Sequence, residues 1–433
     1  LDFSLRDGDM ERNSLKATLG ASEVSLSSNG HLGKKTSYLV SVRQSYLQAL
    51  FKVLGLPFLP AYTDASFKLK TRFDSHNELT LLGLGGLDRM KLNLCIEGED
   101  AEYMLSYLPK IEQETYTVGG VYRHYTPIHV QTIVLSQSYL NNRNIKYCNN
   151  DESSEDNLTL HLGSVEQETK LRMENTSSWS VWKVKAGFDL NYSRYKSDEY
   201  RKIFADALRE YNYHTYLSLW RWGLFASIDY AAPDKSFTAS IGVRTDGNNY
   251  SDKMKELWRQ LSPRLSVSYR LAEGLFLNGH VGLYYQLPSY TALGFKGEAG
   301  DYVNKHLDYI SVSQESVGLS WTPNENMEFS VEGFYKLYGN MPFSLSDQIP
   351  LSCKGNDYGT IGNEALSSEA KGRSYGAELM FKWLLTQKLN LSSSLTIFKS
   401  EFKDGKQGSY VPSAWDNRFI LNVSGTYNFP KHW

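Results

Sequence analysis

Cysteine is scarce in this chain. Cys95, Cys148 and Cys353 are the only three in 433 residues, and they lie far apart without metal-ligand spacing. An odd number excludes complete internal pairing, so the three read as incidental loop residues. A disulfide between two of them stays open, as it would for an exported protein. An excess of one charge is missing too: 46 Lys and Arg stand against 48 Asp and Glu, for a net charge of −2. That balance gives no signal for nucleic acid or another polyanion as a partner.

Long apolar runs are absent, and the mean hydropathy is −0.44. A helix that crosses a bilayer needs about 20 mostly apolar residues. The nearest stretch, 46–62, is interrupted by Lys52, Gly55, Pro57 and Pro60. A membrane protein built without such helices must be a closed strand barrel, because hydrocarbon cannot satisfy open backbone groups. Catalytic signatures are lacking as well: there is no H-E-x-x-H, G-x-S-x-G, phosphate loop or C-x-x-C. Gly83-Leu84-Gly85-Gly86 sits at a strand end without the dinucleotide pattern. No catalytic residue, metal ligand or cofactor is expected.

What the chain has in abundance is aromatic side chains: 30 Tyr, 19 Phe and 9 Trp. Such an excess suits many strand ends at a water–lipid boundary, where an apolar ring with a polar tip is favoured. Apolar and polar residues alternate with period two, the mark of a sheet with two different faces. In 275–286, Leu275, Leu277, Val281, Leu283 and Tyr285 share one face, opposite Asn278, His280 and Gln286. The stretches 220–230, 236–246, 375–383 and 419–427 repeat the pattern.

Alternation alone also fits a soluble sandwich. Two further features point elsewhere. Many runs reach ten residues or more, where strands of soluble domains have about five or six and a tilted transmembrane strand needs about 9–11. The connections also alternate in length. Short ones fall near 33–35, 74–77, 127, 176–178, 233–235, 272–274, 323–326 and 386–388; long ones near 48–61, 89–114, 148–156, 196–213, 251–260, 288–313, 339–371 and 403–415. Short periplasmic turns and long external loops are how outer-membrane barrels are built. The expected fold is therefore an all-β, large antiparallel transmembrane barrel with about eighteen strands in this chain, counting a tight first hairpin near 17–22.

Several segments carry a family resemblance. Leu1-Asp2-Phe3-Ser4-Leu5-Arg6 resembles the last strand of a plug domain, and Leu32-Gly33-Lys34-Lys35-Thr36-Ser37-Tyr38 a first periplasmic turn with its following strand. Leu261-Ser262-Pro263-Arg264-Leu265, Gly282-Leu283-Tyr284-Tyr285-Gln286-Leu287-Pro288, Gly372-Arg373-Ser374-Tyr375-Gly376 and Trp415-Asp416-Asn417-Arg418-Phe419 follow in the family's order. Together they resemble TonB-dependent outer-membrane transporters, particularly those of the Bacteroidota. The resemblance implies a barrel of about 22 strands, with residues 1–12 as the end of the plug and 13–433 as a C-terminally truncated barrel. On that basis the chain is expected to be a barrel fragment that these strands alone need not close, located in the bacterial outer membrane.

The implied function is import of a scarce solute such as a siderophore, a cobalamin-like cofactor, an oligosaccharide or a peptide. The implied partners are the lipid bilayer, the small solute, the TonB complex acting through the missing plug segment, and a surface lipoprotein whose presence the sequence leaves open. A passive porin and an adhesive or structural barrel are the competing functions. Candidate substrate-binding residues are Tyr290, Phe295, Tyr302, His306 and Tyr309 in one long loop, with Phe343 and Tyr358 in the next. Aromatic rings give contact area at low entropic cost and stack on sugars, peptides or siderophore rings. For each of them, packing of the loops against one another is the competing role. Asp151, Glu152, Glu155 and Asp156 read as a solvated loop tip, and Asp246-Gly247-Asn248-Asn249 as turn chemistry. Arg244, Arg264 and Arg270 are expected on the inner face, where cations would tune passage of anions.

Overall fold

The structure is a computed structural model that describes residues 5–204, 208–355, 360–405 and 408–429. One antiparallel sheet of 19 strands contains almost all of the regular structure. It divides into two compact units, Leu1–Asn175 with Asp189–Arg221, and Thr176–Phe188 with Trp222–Trp433.

The first unit begins with β1 (Ser14–Leu19), β2 (Glu23–Leu32), β3 (Thr36–Ser45), β4 (Phe58–Arg72) and β5 (Asn77–Leu92). It continues with β6 (Lys110–Tyr125), β7 (His129–Tyr147) and most of β8 (Leu158–Trp179). Residues 189–204 of β9 (Trp182–Phe204) and 208–221 of β10 (Leu208–Ala231) complete it. Helices α1 (Leu47–Val53) and α2 (Glu99–Tyr107) lie in its long connections. The second unit holds the remainder of β8, β9 and β10, then β11 (Phe237–Asn248), β12 (Ser262–Ala272), β13 (Leu275–Gln286) and β14 (Ile310–Asn324). After these come β15 (Met327–Ser344), β16 (Leu366–Thr386), β17 (Leu389–Lys403), the two-residue β18 (Val411–Pro412) and β19 (Phe419–Tyr427). Its loops carry α3 (Asp252–Lys255) and α4 (Tyr290–Gly294). Apart from β18, which pairs with β17 beside β19, the count among the described residues is the expected eighteen.

The expected parity of connections is present, with two differences. The turn placed at 176–178 lies at Ser180 and Val181, so β8 runs on to Trp179. The segment 196–213 is not a long loop: β9 continues to Phe204 and β10 starts at Leu208. Its charges misled the sequence reading, because they pair within the ladder. Lys196 and His214 each sit 2.7 Å from Asp198. Charge is tolerated in a strand wherever it projects beyond the apolar band.

Burial is inverted relative to a soluble protein. Large apolar side chains are exposed at alternate positions: Ile241 at 63%, with Val243, Leu265, Val267, Val317, Leu319 and Val423 alongside. Polar residues are buried in turn, among them Glu78 at 2%, Thr80, Ser193 and Thr215. A contiguous exposed apolar face of this extent marks contact with a partner or a membrane.

Aromatic rings mark two levels on that face. Beside the short turns stand Phe73, Trp179, Trp182, Trp321, Tyr427 and Phe429; Trp182 and Tyr230 have ring centroids 4.9 Å apart. Farther along the strands, Tyr116 stacks on Tyr139 at 5.2 Å in the first unit, and Tyr335 on Tyr375 at 5.8 Å in the second. Tyr375 and Trp383 are eight residues apart in β16. At about 3.3 Å per residue and a tilt of about 40°, the two levels are separated by roughly 20 Å, close to the ~25 Å apolar band of an outer-membrane barrel.

The polar face of the first unit receives the segment before β1. Lys68 donates to the Leu5 carbonyl at 2.6 Å, and both Lys68 and Lys70 pair with Asp7, at 2.7 and 2.8 Å. Buried Glu78 gathers Lys70, Arg72 and Arg123 within 3.1–3.3 Å. The Gly83-Leu84-Gly85-Gly86 run lies inside β5, where Gly83 faces Phe67 across the ladder. A methyl group at Gly83 would come 2.3 Å from the Phe67 ring, so the glycine makes room for it. Cys95, Cys148 and Cys353 are free thiols.

Candidate functional site in the external loops

The described candidate residues belong to a packed loop cluster at the long-connection end of the second unit. Three loops build it: 249–261, 287–309 and, of the third, the described residues 345–355 and 360–365. Ser289 caps α4, its hydroxyl accepting from the Ala292 amide at 3.3 Å. That short helix turns Ala292, Leu293 and Gly294 inward. Leu293, Leu307, Leu366 and Met254 form a small dry centre, each at 1% exposure or less.

Buried polar groups hold this centre in register. Asn304 is fully buried and uses both ends of its amide. Its nitrogen donates to the Ala292 and Glu364 carbonyls at 2.7 and 2.8 Å, and its oxygen accepts from the Leu366 amide at 2.9 Å. One side chain thereby joins two loops to the start of β16. Asn248 donates to the Tyr309 hydroxyl at 2.8 Å, and Tyr250 donates to the Leu293 carbonyl at 2.8 Å. Thr291 adds a bond to the Ile361 carbonyl at 2.7 Å.

The last loop has an ionic clasp. Lys354 lies 2.5 Å from both Asp347 and Glu364, and Glu364 also accepts from Ser346 at 2.9 Å. The ammonium of Lys354 holds the Asp347 carboxyl below the usual range. Burial pulls the Lys354 pKa down, but hydrogen bonds to Asp347 and Glu364 outweigh it and leave the pKa raised.

The candidate residues separate by position. Tyr309 and Phe343 are buried inside the cluster. His306 is exposed, with its ring Nε2 2.8 Å from the Leu366 carbonyl. Tyr290, Phe295 and Tyr302 are half-buried at the cluster surface. The Tyr302 ring lies 6.3 Å from that of Tyr250, and the Lys296 ammonium stands over it at 5.2 Å. Tyr358 lies outside the described residues. Sequence reading missed Asn248, Tyr250, Asn304 and Glu364. Asp246 and Asn248 belong to β11 rather than to a turn, since the following loop extends the strand by packing on it.

Other candidates have local partners. Arg244 pairs with Asp246 at 2.6 Å and Arg270 with Asp234 at 3.2 Å, while Arg264 stacks over Tyr284 at 4.5 Å. Two of the three expected inner-face cations are thus balanced by a carboxylate. Asp151 organises its own loop, accepting from Ser153 and Asn157, and Glu152 pairs with Lys110. Among the described residues no three His, Cys, Asp or Glu are grouped to hold a metal ion.

A cavity of about 540 Å³ opens on the polar face of the second unit, away from the loop cluster. Lys183, Asp229, Ser240, Asn278, His280 and Glu332 line it. His280 is fixed there between Ser266 at 2.9 Å and the Tyr284 hydroxyl at 2.5 Å.

Residues 55–433 match the model of the TonB dependent receptor-like β-barrel family. The chain belongs to that family. Members are receptors of outer-membrane transport rather than enzymes, which agrees with the exposed apolar face. No curated protein matches the chain by sequence. Solved structures do share its fold. The copper transporter OprC matches with a TM-score of 0.64 and 11% identity, over 94% of this chain and 62% of OprC. A variant of the ferric enterobactin receptor PfeA from Pseudomonas aeruginosa gives 0.62 and 16%, over 97% and 72%. The ferric-catecholate import receptor Fiu from E. coli K12 gives 0.69 and 12%, over 98% and 70%. The chain therefore spans less than two thirds of OprC.

Proposed function

We propose that this chain is the wall of a TonB-dependent transporter of the bacterial outer membrane, of the Bacteroidota type, importing a scarce solute. Residues 13–433 form the barrel part and residues 1–12 the end of the plug. The observation that carries this reading is the inverted burial within a TonB-dependent receptor-like sheet: apolar side chains outward, carboxylates and hydroxyls inward. Lipid then surrounds the apolar face, and the TonB complex acts through a plug segment outside this sequence. The solute is a siderophore, a cobalamin-like cofactor, an oligosaccharide or a peptide. Similarity to two ferric-siderophore receptors favours the first. A surface lipoprotein over the loops is a further partner in this reading.

The loop cluster divides the labour of binding. Buried Asn304, Tyr309 and Phe343 hold the loops in a fixed arrangement, so little ordering cost remains for binding. Tyr290, Phe295, Tyr302 and His306 at its surface, with Tyr358 in the neighbouring loop, make the contact. The test is uptake by a deletion strain complemented with the full-length gene, supplied one iron, cofactor or glycan source at a time. Loss of growth on one source, restored by the gene but at least tenfold less well by Tyr302→Ala with His306→Ala, is the expected result. Growth unaffected on every source would overturn the transport reading. Full restoration by the double variant would remove this surface from it.

A further inference from the structure

Residues 5–13, ahead of the first strand, are fitted to the polar face of the first unit more closely than a connector needs. The register sets Lys70 of β4, Ser37 of β3 and His31 of β2 in one row across three strands, with Leu69, Tyr38 and Gly30 in the row beside it. The segment runs over both rows. Leu5 offers its carbonyl to Lys68 at 2.6 Å, and the Asp7 carboxylate takes Lys68 and Lys70 at 2.7 and 2.8 Å. Gly8 then comes so close to the ladder that a methyl group there would stand 2.1 Å from the Tyr38 carbonyl oxygen and 2.6 Å from that of Gly30. Asp9 turns the chain by accepting from the Glu11 amide at 2.8 Å, and Asn13 accepts from the His31 amide at 2.7 Å. The segment thus crosses β4, β3 and β2 before it enters β1.

These attachments are of a kind that resists a pull along the chain. Lys68 and Lys70 are 16% and 18% exposed, so water and salt screen their pairs with Asp7 less than on an open surface. Glu78, 2% exposed, holds Lys70 from the other side at 3.3 Å, with Arg72 and Arg123 around it. The ammonium is thereby kept from following Asp7 away from the wall. Under Gly8 lies backbone, which cannot give way as a flexible side chain would. What comes next along the chain is weaker. β1 has six residues, all exposed, and its ladder to β2 runs from Ser14↔Asn29 to Leu19↔Val24. A pull on Ser14 would open that ladder one bond at a time. A pull on Leu5 loads the carbonyl bond, the ion pairs and the Gly8 contact together.

We propose that residues 5–13 are a mechanical stop, which carries the load when the plug is drawn toward the periplasm and keeps that load off the β1–β2 ladder. Asp7 is its ionic grip and Gly8 its close fit; both are positioning residues. The wall stays whole while the chain before Leu5 is extended. The inference rests on the plug reading proposed above.

The test is single-molecule force spectroscopy on the full-length protein in a bilayer, drawn from a tag at its amino terminus on the periplasmic side. In wild type the chain released before any strand should end at Leu5, and further lengthening should need a higher force. Asp7→Asn and Gly8→Val should each move that end to Ser14, releasing about nine more residues, roughly 3 nm at full extension. The dwell at Leu5 should shorten at least tenfold in both. Neither change touches a strand residue, so the forces that rupture β2 and the strands after it should stay as in wild type. Asp234→Asn, which breaks the pair with Arg270 at a turn of the second unit, is the control and should move nothing. A wild-type release that runs on to Ser14 without a pause, an unmoved stop in either variant, or an equal shift in the control would overturn the proposal and leave the plug reading standing. If no chain is released ahead of β1 at any force that spares the barrel, the plug reading itself fails.

Discussion

The strand wall and the loop cluster of the second unit are built on opposite rules. In the wall, β11 and β12 leave Ile241, Val243, Leu265 and Val267 exposed and turn Ser240 toward Asp229, 2.5 Å away. Apolar surface there is not removed from water by the protein itself. In the loop cluster, Leu293, Leu307 and Leu366 are enclosed as in a soluble core, and a buried asparagine is satisfied three times over. The difference is what the proposed membrane placement requires, with hydrocarbon beside the wall and water around the loops.

The largest effect should come from the soluble-type region. Asn304→Ala leaves two carbonyls and one amide buried without partners, each costing about 1–3 kcal/mol. On the order of 3–5 kcal/mol should be lost from the loop cluster, read as faster hydrogen exchange at Leu366 with the wall unchanged. Protection that survives the substitution would mean the loops do not depend on this residue. The wall should respond to a different insult. Ile241→Lys, harmless on a water-exposed strand, should cost roughly 2–4 kcal/mol in bilayer refolding because the charge faces hydrocarbon. Ser240→Lys, one residue away and opposite Asp229, should cost well under half of that. Equal effects would erase the distinction between the faces.

The smallest expected effect is ionic. Asp347 is depressed by Lys354, so its contribution is present above the usual carboxylate range and lost as pH falls through its folded value. Lys354 is raised, so its contribution is present below the usual lysine range and lost as pH rises through its folded value. The clasp should therefore hold between about pH 4 and 10 and loosen at both ends. Because Asp347 is exposed to water, the effect should stay small and be screened by salt. Limited proteolysis of the 345–365 loop across that range, with Lys354→Met as the flat control, measures it.

The wall was legible in the sequence because period two and connection parity are local signals. Phe237, Ala239, Ile241 and Val243 declare their face without reference to any distant residue. The hairpin of β9 and β10 was misread where Lys196, Asp198, Glu199 and Arg201 interrupt the apolar pattern, since charge in a strand and charge in a loop look alike in one dimension. The loop cluster was legible only in part. Its aromatic residues stood out by type, but Tyr309 and Phe343 turned out buried, because burial there depends on partners tens of residues away. Asn304 reaches Glu364 and Leu366 across a separation of about sixty positions, and no periodicity encodes that bond.

The central claim is that the exposed apolar face of the sheet touches lipid. Nitroxide labels placed singly from Phe237 to Arg244 in the bilayer-embedded protein test it directly, by comparing collisions with oxygen and with a water-soluble nickel chelate. Oxygen collisions should peak, and nickel collisions should fall, at Ala239, Ile241 and Val243, alternating at every residue with Thr238, Ser240 and Gly242. Uniform exposure to nickel along the strand, or alternation of the opposite phase, would contradict the account.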